Sequence, residues 1–219
     1  MLTVLKYFAL AFSALLPVIN PLGSALVFLG LVGFVPSDVI RNLARRIAIS
    51  TTLFLLVIEL IGAALLTFFG ISLPVVQVAG GFVLAAMGWG LLNESGPTTA
   101  AGKSGVDEHD FRSLDAKVFY PFTFPVTAGP GCIVVMLTLS AHASRSRILE
   151  NVYAHVGIVL AVVALSILVF FCYRYSIRIT QKIAPETVHG ILRVIAFILL
   201  CIGVQIAWEG ASALLRTVK

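Results

Sequence analysis

Residues 17–24 read PVINPLGS and residues 125–132 read PVTAGPGC. The two stretches align without gaps at an offset of 108 residues, from position 17 to position 125. Pro17 and Pro125, Val18 and Val126, and Gly23 and Gly131 are identical. Each stretch stands in the middle of an apolar run long enough to cross a bilayer, yet proline and glycine are the poorest residues for continuing a helix. Irregular backbone at membrane depth is tolerated only where it is buried in protein or lines a wet cavity. A break there exposes amide groups at the start of a second half-helix, and those amides attract anions together with the helix dipole. Small residues follow each break: Gly23, Ser24 and Ala25 in one, Gly131 and Cys132 in the other. Glycine lets a ligand approach the backbone, so a substrate carboxylate is the natural guest. A simple proline kink is the alternative for one motif; two matched motifs favour a binding site.

The rest of the composition places these motifs in a membrane. Of 219 residues, 59% are hydrophobic and 11% charged, where soluble domains carry roughly 25% charged residues. Mean hydropathy is +1.05. The chain reads as an integral protein of the lipid bilayer. Its net charge of +5 does not point to nucleic acid, because the basic residues fall in short connections between apolar runs. Cys132, Cys172 and Cys201 lie in apolar stretches, without the spacing of a metal site or a disulfide framework, and read as small buried hydrophobes. The apolar run after Lys6 continues to about Val35 with no cleavage-like site, so it reads as a retained first span rather than a signal peptide.

A spanning helix needs about 20 apolar residues. Six candidates stand near 5–32, 47–69, 73–92, 118–141, 152–173 and 188–215. The polar stretch 94–117 reads as a flexible cytoplasmic loop, His109 included, and divides the chain into halves at 1–93 and 118–219. Three spans per half force the second half to enter the membrane from the opposite side. The expected fold is therefore all-α, with two inverted three-helix repeats whose first and fourth helices are broken at mid-membrane; paired broken helices of this kind point to a transporter site. Nine basic residues lie in the first, third and fifth connections (Arg41, Arg45, Arg46, Lys103, Arg112, Lys117, Arg174, Arg178 and Lys182). Five lie on the other side (Lys6, Arg145, Arg147, Arg216 and Lys219), with Arg193 inside the sixth segment. The positive-inside rule then sets both termini on the outer side of the cytoplasmic membrane.

With NPLGS at 20–24, TAGPG at 127–131 and FFGISLP at 68–74 followed by VAGG at 78–81, the chain resembles the MarC family of bacterial inner-membrane proteins, also called the neutral amino acid transporter family. The resemblance covers essentially the whole chain. NPxG alone is a weak signal, but the three motifs together are fairly specific. The resemblance implies transport of small neutral amino acids such as glycine and alanine, on an inverted-repeat fold related to the lysine-exporter superfamily. Carried over by position, Asn20, Pro21 and Gly23 fill the first motif, and Ala128, Gly129, Pro130 and Gly131 the second. Gln77 departs from the pattern, standing where a basic residue is expected before the AGG, and any gating role of that position is in doubt here.

Ionisable residues inside a membrane are costly and often functional. Glu59, in the middle of the second span, reads as a proton-coupling carboxylate or as a bond to a neighbouring helix. Arg193 reads as a snorkelling or internally paired cation, and Gln205 as a ligand contact or interhelical glue. His155 reads as interfacial. Asn20 and Thr127, beside the breaks, either satisfy freed backbone or touch ligand, and Ser24 joins them. Gly80, Gly81, Gly88 and Gly90 mark close packing of the third helix, with Gly81, Ala85 and Gly88 on roughly one face that lets it lie against the broken segments.

No catalytic motif appears in the spans, so an enzyme is not expected. Neither metal nor cofactor is implied beyond a coupling ion, H+ or Na+. The function that follows is a secondary transporter of small neutral amino acids, with a homo-oligomer left open. A non-transporting membrane scaffold or regulator, or an exporter of another small metabolite, is the alternative.

Overall fold

The computed structural model describes residues 2–33, 35–93, 114, 116–143, 148–182 and 185–217. The loop residues 94–113, His109 among them, and the basic residues Lys103, Arg112, Arg145, Arg147 and Lys219 lie outside the described residues. The described chain is helical throughout: α1 (Leu2–Ile19), α2 (Pro21–Val32), α3 (Ser37–Phe68), α4 (Leu73–Asn93), α5 (Val118–Thr127), α6 (Pro130–Ala143), α7 (Ile148–Arg174), α8 (Ser176–Lys182) and α9 (Pro185–Thr217).

Four stretches are long and apolar enough to cross a bilayer: Leu2–Val32, Leu73–Asn93, Ile148–Arg174 and His189–Arg216. The pair Val118–Thr127 and Pro130–Ala143, bent by 68°, makes a fifth when taken as one span. The remaining expected segment, 47–69, forms most of α3, a single helix of 32 residues and therefore about 48 Å long. Its first turns present Arg41, Arg45 and Arg46 at the surface. Large apolar side chains such as Leu60, Phe82, Val194 and Trp208 stand exposed along the bundle, as a lipid-facing surface requires and a water-facing one does not.

The two expected breaks differ in kind, which corrects the reading of a matched pair of mid-membrane interruptions. The first is a single residue, Asn20, inside a stretch that runs on as one span. The ladder reaches the break through Asn20 N donating to Leu16 O at 3.0 Å and resumes at once with Ser24 N donating to Asn20 O at 2.8 Å, so the axis continues. The second is a true bend, and proline chemistry prepares it. Pro121 and Pro125 have no amide to donate four residues back. Phe122 N instead reaches Lys117 O and Ala128 N reaches Thr123 O, each five residues back, at 3.3 and 2.8 Å. The result is a wide-turned π-helix, interrupted by extended backbone at Tyr120 and Phe124.

Elsewhere the bundle is joined by glycine. A Cβ on Gly81 would land on the backbone nitrogen of Ala207, and one on Gly203 on that of Ala85. Gly88 meets Ala196 and Leu200, and Gly210 meets Pro74 and Gln77. Positions that rise along α4 fall along α9, so the two helices run antiparallel in backbone contact. The small face of α4 thus lies chiefly on α9, while Gly80 faces Val134 of α6, next to the second break. Gly90 faces open space and is no packing residue, a correction that follows from helix geometry: two residues past Gly88, it lies about 200° around α4 from the face that meets α9. Cys132 and Cys172 are buried as expected, but Cys201 is exposed, because its position on α9 faces an open groove against α1 and α6.

Candidate functional site at the meeting of the two breaks

Asn20 adopts the left-handed conformation, φ 45° and ψ 67°, which asparagine tolerates better than most residues. Its side-chain oxygen accepts from Gly23 N at 3.1 Å, and its carbonyl accepts from the Ser24 hydroxyl at 3.0 Å. Pro21, at the first helical position, has no amide to satisfy. From sequence, this half-helix start is expected to offer free amides to a carboxylate. Instead Asn20 itself takes the Gly23 amide with its side chain and the Ser24 amide with its carbonyl, and Gly23 is small for that reason: a Cβ there would fall on Asn20 Nδ2 and 2.8 Å from its Cγ. Asn20→Ala loses the cap, about 1 kcal/mol, and puts alanine in a left-handed conformation at about 1–2 kcal/mol. Asn20→Gly loses only the cap and should unfold at clearly higher denaturant than Asn20→Ala in detergent. Equal destabilisation would mean that the backbone angle carries none of the cost.

The second break keeps more of what was expected. Ala128 N and Cys132 N donate within the chain, the latter to Gly129 O at 2.9 Å, and Pro130 has no donor. Among the described residues nothing accepts from the Gly129 or Gly131 amides. Thr127 donates to Phe122 O at 2.6 Å, and its hydroxyl shares a 2.7 Å hydrogen bond with Tyr173 of α7. Thr127, Ala128, Gly129 and Gly131 are all buried. A Cβ on Gly131 would fall on Leu84 Cδ2 and 3.1 Å from Val18 Cγ1, so Val18 of the first motif touches Gly131 of the second.

Tyr173 is where the two motifs converge. It is fully buried, stacked on Phe28 of α2 with ring centroids 4.6 Å apart, and its hydroxyl lies against both Ser24 and Thr127. Phe122 closes the aromatic cluster edge-on to Phe28 at 5.4 Å. Of the site residues chosen from sequence, Asn20, Pro21, Gly23, Ser24, Thr127, Ala128, Gly129 and Gly131 are thus brought together. Tyr173 was missed, since nothing in an apolar run announces which aromatic will point inward.

Other chosen residues lie apart. Gln205 donates to Glu209 at 3.0 Å on α9 and lines an open groove of about 800 Å³ between α1, α6 and α9. Lys6, Tyr7, Thr138 and His142 line the same groove, so Gln205 belongs with it and not with the breaks. Gln77 is buried on α4 against Gly210 of α9, a packing position. Arg193 is exposed on α9, which removes the reading of a cation paired inside the bundle. Glu59 is buried, and His155, expected at the interface, is its partner: Nδ1 lies 2.5 Å from Glu59 Oε1. No group of three or more His, Cys, Asp or Glu able to hold a metal occurs among the described residues.

A family model described as "MarC family integral membrane protein" matches residues 5–215. The chain is 26% identical over 219 residues to the inner membrane protein MarC of Salmonella typhimurium, covering 99% of both chains. It is equally similar to the inner membrane proteins MarC of Salmonella typhi and of Escherichia coli, again over 99% of both. No solved structure matches the chain.

Proposed function

We propose that this chain, which belongs to the MarC family of integral membrane proteins, is a secondary transporter of small neutral amino acids in the inner membrane, where its relatives are named as residing. The observation that carries the reading is the convergence of two sequence-matched breaks, Asn20 and Ala128 at the same aligned position, on the Tyr173 hydroxyl. The Gly129 and Gly131 amides, at the start of α6, are the donors offered to the substrate carboxylate. The buried Ser24–Tyr173–Thr127 contact is the closed state of a gate, and the groove lined by Lys6, Gln205 and Glu209 is the approach from one face.

The neighbour pattern of the helices supports six spans in two inverted halves. α7 packs on α1 and α2, α3 packs on α5 and α6, and α4 packs on α9. Exchanging the halves maps this pattern onto itself, as a pseudo-two-fold axis requires. With the basic residues counted as above, both termini face the outer side.

Labelled alanine or glycine flux into proteoliposomes tests the function. Saturable counterflow is expected in the native protein and loss of it in Gly131→Val, whose side chain displaces Leu84 and covers the break. Gly90→Val, on an open face, should transport normally. Absence of saturable flux for every small neutral amino acid, under any ion gradient, would favour a scaffold or regulator instead.

A further inference from the structure

Glu59 sits on the buried side of α3 with only 2% of its side chain exposed, while that of His155, two turns into α7, is 31% exposed. His155 Nδ1 holds carboxyl oxygen Oε1 at 2.5 Å. Ser140 of α6 lies beside the same carboxyl, and its hydroxyl donates to the Glu59 carbonyl at 3.4 Å. The second carboxyl oxygen, Oε2, is buried without a hydrogen-bond partner among the described residues. Three helices thus meet on one carboxyl group that is incompletely satisfied.

We propose that Glu59 and His155, steadied by Ser140, form a proton-binding site whose loading and release drive the transport cycle. An isolated charge inside a membrane is expensive, and a buried pair escapes that cost only while its charges cancel. A carboxyl and an imidazole cancel when they hold a single proton between them, as acid and neutral ring or as carboxylate and imidazolium. Removing that proton leaves a lone carboxylate; adding a second leaves a lone imidazolium. Either state favours a conformation that admits water or parts α7 from α3. The exposed edge of His155 is the route by which the proton enters and leaves, passing from water to Nε2 and from Nδ1 to Oε1.

The link to the gate is α6. Its Ser140 faces Glu59, while Thr138 and His142 line the groove, and its first residues form the second break. His142 is tied to Thr138 O by Nδ1 at 2.7 Å and receives the Tyr7 hydroxyl on its carbonyl, so it belongs to the groove side. The titratable group facing Glu59 from α7 is His155; α6 presents the Ser140 hydroxyl, and among the described residues no other charged group acts on the carboxyl. The same α7 carries Tyr173 at its far end. A shift of α7 on α3 therefore reaches both the groove and the closed contact at the breaks.

The proposal rests on the transport reading, so the test separates the two. In proteoliposomes, Glu59→Gln and His155→Gln should each keep counterflow exchange of labelled alanine but lose accumulation driven by a pH gradient, by about tenfold, the scale of a usual coupling between two sites. Accumulation that survives in Glu59→Gln, under a pH or a sodium gradient, overturns the proposal, and so does loss of both activities in a folded variant. If the native protein shows no flux at all, the transport reading fails while the proton site is still decided by potentiometric titration in detergent. There the native protein should bind about one proton more than Glu59→Gln near neutral pH, and equal binding overturns the site.

Discussion

Gly81→Ala is expected to cost the bundle about 3 kcal/mol, the upper end of what a forced insertion into a packed interior usually costs. The new methyl would fall on Ala207 N, 2.6 Å from Gly203 O and 2.7 Å from Ala207 Cβ. Two of those three atoms are backbone, which cannot rotate aside as a side chain can. α4 and α9 must separate along their shared face. In a membrane that separation gains nothing from water, since lipid is as apolar as the interface, and what is lost is close packing between backbones. Gly203→Ala meets Ala85 N and Gly81 O in the same way. One separation relieves both, so the double variant should lose clearly less than the sum of the two singles. Gly90→Ala, on the same helix in open space, is the control and should unfold like the native protein. Reversible unfolding in mixed micelles measures all four. If Gly81→Ala matches Gly90→Ala, the two helices do not approach as described.

That glycine interface was legible in advance as a stripe of small residues, because helical spacing alone puts Gly81, Ala85 and Gly88 on one face. Its partner was not, since spacing says nothing about which helix arrives. The same limit explains the polar residues. Glu59 announced itself as an acid in a span, but its partner His155 lies 96 residues away, and its position at the start of a span suggested the interface. The breaks were legible from proline and glycine, and the aligned positions Asn20 and Ala128 both interrupt the helix. Their geometry depended on finer chemistry. Asparagine caps its own break and lets the helix run on, whereas Pro121 and Pro125, one turn apart, widen the helix before the second break and bend it. Gln205 was grouped with the breaks because depth in the membrane was the only coordinate the sequence supplied. Its actual neighbours, Glu209 and the groove, are set by the rotation of α9.

Tyr173→Ala should cost about 4 kcal/mol, as removal of a fully buried aromatic ring usually does, because it empties the space between Phe28 and both breaks. Tyr173→Phe should cost much less, about 1 kcal/mol. The ring stays stacked on Phe28, and neither hydroxyl that it abandons is orphaned: Thr127 keeps Phe122 O and Ser24 keeps Asn20 O. The two substitutions therefore separate what the ring does from what the hydroxyl does. The hydroxyl touches both motifs, so its removal should weaken the coupling between them more than the fold. A double-mutant cycle with Thr127→Val reads this directly. If the Tyr173–Thr127 bond ties the breaks, the two changes should interact by about 1 kcal/mol, and Ser24→Ala should show a coupling to Tyr173 of the same sign. If the Ser24–Tyr173–Thr127 contact is the closed gate proposed above, Tyr173→Phe lowers the cost of opening and should speed counterflow, whereas Tyr173→Ala disorders the site and should abolish it. A Tyr173→Phe variant with native flux and no coupling to Thr127 would make the tyrosine a packing residue alone and leave the breaks without a shared latch.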